Sequence, residues 1–101
     1  MQILESSVER AVVQWARERN IQSIKLNLQG RRAYPDRLFW INGGRPALIE
    51  FKRPGHKTTP LQAHTLGILK ELHYDVYVAD NKKDACRFLE NCASQAHKKT
   101  T

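Results

Sequence analysis

The sequence predicts an α/β fold in which helices cover both faces of a mixed four-stranded sheet. Apolar residues recur at helical spacing between Leu4 and Trp15, which indicates an N-terminal amphipathic helix. The turn Asn42-Gly43-Gly44 separates two apolar segments and is a strong signal for a β-hairpin. A helix start at Thr59-Pro60 lies between two strand-like segments. A helix that joins two strands of one sheet implies a right-handed crossover and parallel pairing.

The N-terminal half is predicted to form one helix and three strands. Polar residues close the helix, and Asn20 is a plausible C-terminal stop. The next segment alternates in polarity, with Ile24, Leu26 and Leu28 on one side, as is typical of a half-buried strand. The strand after the hairpin turn begins with an apolar run, which indicates a central strand covered on both faces. The predicted bounds are 4–20 for the helix and 23–28, 36–41 and 47–52 for the strands.

The C-terminal half is predicted to form a helix, a strand and a last helix. Thr59 is the N-cap of the first of these helices and Pro60 its first residue, and the helix runs to His73. The side of this helix that is predicted to face inward, its inner line, carries Leu66, Leu69 and Leu72. Asp80-Asn81 caps the last helix. The predicted bounds are 74–79 for the strand and 82–96 for the last helix, so that one domain spans residues 1–96 and a frayed polar tail spans 97–101.

The composition favours an anionic partner. The chain has 101 residues, enough for one domain, and its 17 basic and 10 acidic side chains give a net charge of +7. Nucleic acid is the first expectation for such a balance. A basic ribosomal protein or a membrane-surface protein would have the same charge, so the charge by itself does not choose between them.

Several classes of protein are disfavoured. The longest apolar runs are four residues long, at 38–41 and 76–79, which is far too short to span a membrane. Charged residues stand near the N-terminus where a signal peptide needs an apolar stretch. Cys86 and Cys92 lie six residues apart in a predicted helix, on different faces, so we expect free thiols in a reducing compartment. We therefore expect a cytoplasmic protein with no membrane partner and no small-molecule cofactor.

Three charged side chains converge in the predicted sheet. Glu50 and Lys52 lie two residues apart on one strand and so project from the same face. The hairpin brings the start of the preceding strand, where Asp36 lies, beside the end of this one. Paired carboxylates suit a hard divalent cation, and a neighbouring ammonium can hold a water or stabilise negative charge. The plain alternative is a strand end that carries these residues without a function.

Two further polar residues face the predicted core. On a helical wheel Glu5 falls within the apolar stripe of the first helix and Glu9 at its edge, where a carboxylate is costly unless it is paired or bound to a metal. A first-turn residue that reaches solvent is the alternative. Gln62 lies on the inner line of the second helix, so its amide is expected to point at the sheet. It could orient a water or Lys52, or simply be a satisfied polar residue at a helix N-terminus.

At these positions the chain resembles the virus-type replication-repair nuclease (VRR-NUC) domain, a branch of the PD-(D/E)xK nuclease superfamily. The resemblance extends from Glu5 to about Leu89. Its core order of a helix, three strands, a helix and a strand, the restriction-endonuclease-like core, agrees with the order predicted above (αβββαβα). One departure is Asn20, where a glycine often follows the first helix. The resemblance rests on the motifs Pro35-Asp36, Ile49-Glu50-Phe51-Lys52-Arg53-Pro54-Gly55 and Thr59-Pro60-Leu61-Gln62, with the segments 66–70 and 74–80 in the same style.

The resemblance implies a role for each matching position. It implies that Asp36 and Glu50 are ligands of Mg²⁺ or Mn²⁺, joined by the backbone carbonyl of Phe51. It also implies that Lys52 is the catalytic lysine and Gln62 the helix residue of the signature. The first-helix glutamate of the family is best matched by Glu5, because Val8 follows it three residues later. Comparison with archaeal junction resolvases would favour Glu9 instead.

Two basic loops are predicted to flank this site and to contact phosphates without reading base sequence. The resemblance further implies a homodimer whose two sites nick opposing strands of branched DNA. The leading interpretation is therefore a metal-dependent endonuclease that resolves four-way (Holliday) junctions or related DNA in a bacterial or phage-infected cell. A non-catalytic nucleic-acid-binding module on the same fold, or a nuclease acting on RNA, remains open. The residues predicted to bind nucleic acid are Lys25, Arg31, Arg32, Arg37, Arg53, His56 and Lys57.

Overall fold

Seven elements follow one another in the predicted order αβββαβα. The computed structural model describes residues 4–26 and 34–100, with side chains as far as residue 96. The helices are α1 (Glu5–Arg17), α2 (Pro60–Glu71) and α3 (Lys82–Thr100), and the strands are β1 (Ser23–Lys25), β2 (Arg37–Phe39), β3 (Ala47–Phe51) and β4 (Asp75–Ala79).

The four strands form one mixed sheet in the order β1-β2-β3-β4. The first three strands are a meander with antiparallel pairing, in which Arg37 lies opposite both Lys25 of β1 and Ile49 of β3. Strands β3 and β4 are parallel, with Glu50 opposite Val78. The hairpin, the crossover through α2 and the parallel pair are therefore confirmed.

Helices cover both faces of the sheet and create two apolar clusters. The larger cluster joins α1 and α3 to one face, where Phe39, Ile49 and Phe51 are almost wholly buried. On the other face Leu66 of α2 packs against Leu48 and Val76. Every residue of β3 is buried, which confirms its prediction as the central strand.

The α2 face is covered less completely than the sequence predicted. The side chain of Ile24 in β1 remains 46% exposed, although its alternation with polar neighbours predicted burial. Helix α2 packs against β4, at the opposite edge of the sheet, so it does not cover β1. Leu72, predicted on the inner line of α2, is 57% exposed because the helix ends at Glu71 and Leu72 is its C-cap. Leu28 lies outside the described residues.

The helix ends follow local chemistry. Asn20 adopts a φ of 62° after α1, the left-handed conformation expected of a stop residue. The Asn81 side chain accepts a hydrogen bond of 2.8 Å from the Asp84 N–H, which confirms the predicted cap of α3. Helix α3 extends to Thr100, so it continues beyond its predicted end at residue 96.

The described part of the chain has no helix long and apolar enough to cross a membrane. Cys86 and Cys92 are free and buried in the larger cluster, as predicted. Burial raises the pKa of both thiols, and that of Cys92 to about 12. Because the thiolate is the reactive form, both cysteines are suited to packing rather than to chemistry.

Two glycines offer a test of the packing between the hairpin turn and α3. A Cβ added at Gly44 would lie 2.6 Å from the Cβ of Ala96, whereas one added at Gly67 in α2 would meet open space. We expect Gly44→Ala to lower the free energy of unfolding by about 1–3 kcal/mol through overpacking. We expect Gly67→Ala to raise it by about 0.5–1 kcal/mol by removing backbone entropy from the unfolded chain. Urea denaturation of both variants measures this, and equal effects would contradict the close approach of α3 to the turn.

Candidate active site

The two predicted carboxylates meet at one end of the sheet. Asp36 directly precedes β2 and Glu50 lies in β3, and the antiparallel register that pairs Arg37 with Ile49 brings them side by side. The Asp36 N–H donates to the Ile49 carbonyl at 3.1 Å, which extends the pairing to the position of Asp36. The convergence predicted from the i, i+2 spacing and the hairpin is therefore present.

Glu50 is the most unusual polar residue of the described chain. Its exposed fraction is only 3%. Its Oε2 atom accepts a hydrogen bond from Gln62 Nε2 at 2.7 Å and lies 3.2 Å from Lys52 Nζ. Its Oε1 atom is buried and has no hydrogen-bond partner among the described residues. A buried carboxylate oxygen without a partner is costly, so this atom offers an unused acceptor for a cation or a donor.

Burial and the neighbouring charge disfavour ionisation of Glu50. Burial has the largest effect and the Asp36 charge the next largest. Together they raise the pKa of Glu50 to about 7, although Lys52 acts to lower it. Like charges held close together in a shielded place are what a divalent cation neutralises. The pair therefore has the charge, the burial and the free oxygen that suit a metal of the Mg²⁺ class.

Asp36 is held in place by the backbone of the strand beside it. Its Oδ2 atom accepts a hydrogen bond of 2.8 Å from the Phe51 N–H. This bond fixes the carboxylate at the end of β3 while the side chain of Phe51 lies in the core on the other face. The Phe51 amide thus positions one carboxylate of the pair, a contact that side-chain spacing did not reveal.

Gln62 has two functions at once. Its Oε1 atom accepts from the Thr59 N–H at 3.0 Å, and its own N–H donates to the Thr59 hydroxyl at 3.2 Å, forming a capping box at the start of α2. Its Nε2 atom donates to Glu50 in β3, so the amide points at the sheet, as the sequence predicted. The cap therefore orients the Gln62 amide towards Glu50 and links the start of α2 to the carboxylate pair.

This double function predicts different costs for two cap variants. Thr59→Ala removes the hydroxyl acceptor and should lower the free energy of unfolding by about 1 kcal/mol. Gln62→Ala also removes a partner of a buried carboxylate and should cost about 1–3 kcal/mol more. Urea denaturation at pH 8 compares them. Equal costs would show that the bond to Glu50 contributes nothing.

The basic loop after β3 lies at the same end of the sheet. The backbone N–H of Lys52 donates to the Ala79 carbonyl, so the loop leaves the sheet beside the end of β4. Gly55 has a φ of 83°, and its N–H donates to Asp80 Oδ2 at 3.3 Å. Bonds from the Asn81 side chain and from Gly55 lower the pKa of Asp80. Asp80 thus anchors the loop, whose exposed residues include Arg53, His56 and Lys57.

The structure separates the two first-helix glutamates. Glu5 is exposed in the first turn of α1, which agrees with the alternative of a first-turn residue that reaches solvent, whereas Glu9 lies at the edge of the buried face, as the wheel predicted. The N-terminal turns of α1 do approach this end of the sheet, because Ser7 lines a shallow pocket with Pro54. Glu9 forms an ion pair with Arg37, from Oε2 to Nε at 2.9 Å. Among the described residues no third His, Cys, Asp or Glu joins the carboxylate pair.

Two residues predicted to flank the carboxylates lie on the other face of the sheet. Side chains alternate along a strand, and Leu38 faces the α2 cluster, so Arg37 points towards α1. Lys25 lies opposite Arg37 in the register and lines the same groove beside α1. Lys25 and Arg37 are therefore close to Asp36 along the chain or in the pairing but face the other side of the sheet, and their binding of nucleic acid stays a prediction. Arg31 and Arg32 lie outside the described residues.

The comparison with known proteins adds one relative. None of the protein-family profiles matches the chain. The chain is 35% identical over 80 residues to "Putative nuclease p44" of Acyrthosiphon pisum secondary endosymbiont phage 1. The match covers 79% of this chain and 86% of the phage protein. The chain belongs to the p44 family.

In this p44 family member the site is a small polar cluster on the α2 face. Two carboxylates, an ammonium and an amide come together from the start of β2, the end of β3 and the start of α2. Glu50 holds the central position because it contacts both Lys52 and Gln62 and is paired in the sheet with the segment of Asp36. Such a cluster can bind a divalent cation and place a cationic side chain beside it, which is the chemistry of phosphoryl transfer to water.

Proposed function

We propose that the protein is a divalent-metal-dependent endonuclease that hydrolyses phosphodiester bonds in branched DNA. The observation that carries the proposal is the buried Oε1 atom of Glu50, which has no hydrogen-bond partner among the described residues and lies beside a second carboxylate. The name of the p44 relative supports a nuclease, and the net charge of +7 supports a polyanionic substrate.

In the proposed site Asp36 and Glu50 would hold Mg²⁺ or Mn²⁺, joined by the backbone carbonyl of Phe51. Glu5 stays a prediction as a further ligand, whereas its alternative, Glu9, is paired with Arg37 on the opposite face of the sheet. When bound, such a cation polarises a phosphoryl oxygen and lowers the pKa of a coordinated water. The donor set fits, because hard cations take carboxylate oxygens and the pair has an acceptor left over.

The remaining residues stabilise the charge of the transition state, orient the carboxylate of Glu50 and hold the substrate. Lys52, half-buried and 3.2 Å from Glu50, places a positive charge where a phosphate would approach the pair, and this charge stabilises the developing negative charge of the transition state. Gln62 holds the carboxylate of Glu50 in one orientation through its 2.7 Å bond. Arg53, His56 and Lys57, on the anchored loop, hold the substrate backbone without reading its sequence.

The proposed active form is a homodimer. One chain provides one site, so paired incisions in opposing strands of a four-way junction require two copies related by a two-fold axis. Light scattering is expected to give twice the mass of the chain. A clean monomer that nicks all forms of DNA at random would contradict this part of the proposal.

The test compares substrates and metals side by side. Labelled four-way junction, linear duplex, single-stranded DNA and matched RNA are incubated with the protein in Mg²⁺, in Mn²⁺ and in EDTA. We expect symmetric cuts in the junction that require metal and are absent with Asp36→Asn. Binding without cutting under every condition would indicate a non-catalytic module. Cutting confined to RNA would indicate an RNA nuclease.

A further inference from the structure

A basic groove lies on the sheet face opposite the carboxylate pair. It runs between one side of α1 and the paired ends of β1 and β2, and residues of all three elements line it. Among the described residues that line the groove, Glu9 carries the negative charge. The cationic side chains there are Arg10, Arg17, Lys25 and Arg37, with Gln14 between the two helix arginines.

The negative charge in this groove is already neutralised. Glu9 Oε2 accepts from Arg37 Nε at 2.9 Å, and Arg37 also donates to the Ser23 hydroxyl at 3.0 Å. Arg37 is therefore held rigidly, and its charge and that of Glu9 cancel locally. The exposed residues Arg10, Arg17 and Lys25 leave the groove with an excess of three positive charges.

The groove is shaped for an extended anion. Ser6 and Arg17 line its two ends and lie eleven residues apart on α1, which corresponds to roughly 16 Å of helix. A strand of duplex DNA places a phosphate every ~3.4 Å along its axis, so this length matches several consecutive phosphates. Arg10, Gln14 and Arg17 fall on one stripe of the helix and present their donors in a row.

The groove and the carboxylate pair cannot both lie on one straight duplex. Asp36 and Arg37 are consecutive residues, yet Asp36 shares the α2 face with Leu38 while Arg37 points to α1. The sheet therefore separates the two surfaces, and β1 is the edge strand between them. A nucleic acid that occupies both must branch or bend sharply around that edge.

We propose that the groove formed by α1, β1 and β2 binds the phosphate backbone of a second arm of branched DNA while the first arm lies at the carboxylate pair. The proposal rests on the proposed function for the identity of the substrate. It assigns the preference for branched DNA to a particular surface, with Arg10 and Arg17 as phosphate contacts beside the neutralised Glu9–Arg37 pair.

Binding measurements in an Asp36→Asn background test the proposal without cleavage of the substrate. Fluorescence anisotropy gives the affinity for a four-way junction and for a linear duplex made from one of its arms, over a range of salt concentrations. The groove variant is Arg10→Gln with Arg17→Gln. The control variant is Lys83→Gln with Arg87→Gln, which removes the same charge from an exposed side of α3.

We expect the groove variant to weaken junction binding by about 10-fold and to reduce the slope of log K against log salt by about 2. Duplex binding should change by no more than the small effect of the control variant. Equal weakening for junction and duplex, or no difference from the control, would overturn the proposal. If the groove variant loses junction binding while the protein with Asp36 intact cuts no substrate in any metal, the groove is supported and the nuclease is refuted, so the two failures are distinguishable.

Discussion

Asp36→Asn and Lys52→Met are each expected to reduce metal-dependent cleavage by about three orders of magnitude, the loss that follows removal of a group acting on the transition state. Asp36→Asn removes a charge from the proposed cation site while keeping the acceptor for the Phe51 N–H. Lys52→Met keeps the length of the side chain and removes the ammonium beside Glu50. Single-turnover cleavage of the preferred substrate measures both.

The matched control for Asp36→Asn is Glu71→Gln, the same change of a carboxylate to an amide at an exposed position of α2. It should cleave at the wild-type rate. Substrate binding should survive in all three variants, because the exposed basic loop is unchanged. Normal cleavage by Asp36→Asn and Lys52→Met would refute the site assignment, and loss of binding together with cleavage would point to a substrate-holding role instead.

The second large effect concerns stability and pH. The pKa of Glu50 is about 7 in the folded chain, against an ordinary value of 4.5. Its contribution to folding is therefore fully present below pH 4.5 and is lost as the pH rises through 7. Each unit of pKa difference corresponds to about 1.4 kcal/mol. We expect the metal-free protein to lose on the order of 1–3 kcal/mol between pH 5 and pH 8 from this group.

Glu50→Gln should remove this part of the pH dependence. The amide cannot ionise, so the difference in free energy of unfolding between pH 5 and pH 8 should shrink by about 1–3 kcal/mol in EDTA. Urea denaturation of wild type, Glu50→Gln and Glu71→Gln at the two pH values measures it. An unchanged pH dependence in Glu50→Gln would mean that Glu50 is not the buried titrating group.

Divalent cations should offset the loss of stability that the ionisation of Glu50 causes at high pH. A cation that binds the ionised pair in the folded chain stabilises it according to its concentration relative to its dissociation constant. At pH 8 the wild type should therefore melt higher with Mg²⁺ or Mn²⁺ than in EDTA, and Glu50→Gln should respond much less. An equal rise in both proteins would place the cation elsewhere.

The core of the site was predictable because it depends on local rules. Glu50 and Lys52 share a face through the alternation of a strand, and the hairpin turn sets which residue of the neighbouring strand lies beside them. Gln62 was placed by the apolar line of α2, which Leu66 and Leu69 continue. These rules involve neighbours in sequence or one short turn, so the pattern alone was sufficient.

Other residues could not be placed because their surroundings depend on distant elements. Glu5 fell on the apolar side of a wheel, yet the first turn of α1 leaves it exposed. Ile24 alternates like a buried strand residue, but α2 packs at the other edge of the sheet and leaves it uncovered. Lys25 and Arg37 are near Asp36 in sequence or pairing, and only the direction of each side chain puts them on the opposite face.

Periodicity, capping and a tight turn act over short distances, so they were enough to predict the order of the elements, the mixed sheet and the convergence of Asp36, Glu50 and Lys52 with Gln62 facing them. The energetic properties of this cluster depend on packing between distant elements. Burial between the sheet and α2 leaves one oxygen of Glu50 without a partner and raises its pKa. Packing of α1 against the other face creates the basic groove. Desolvation and the joining of separate elements into one surface arise only when distant parts of the chain are packed together.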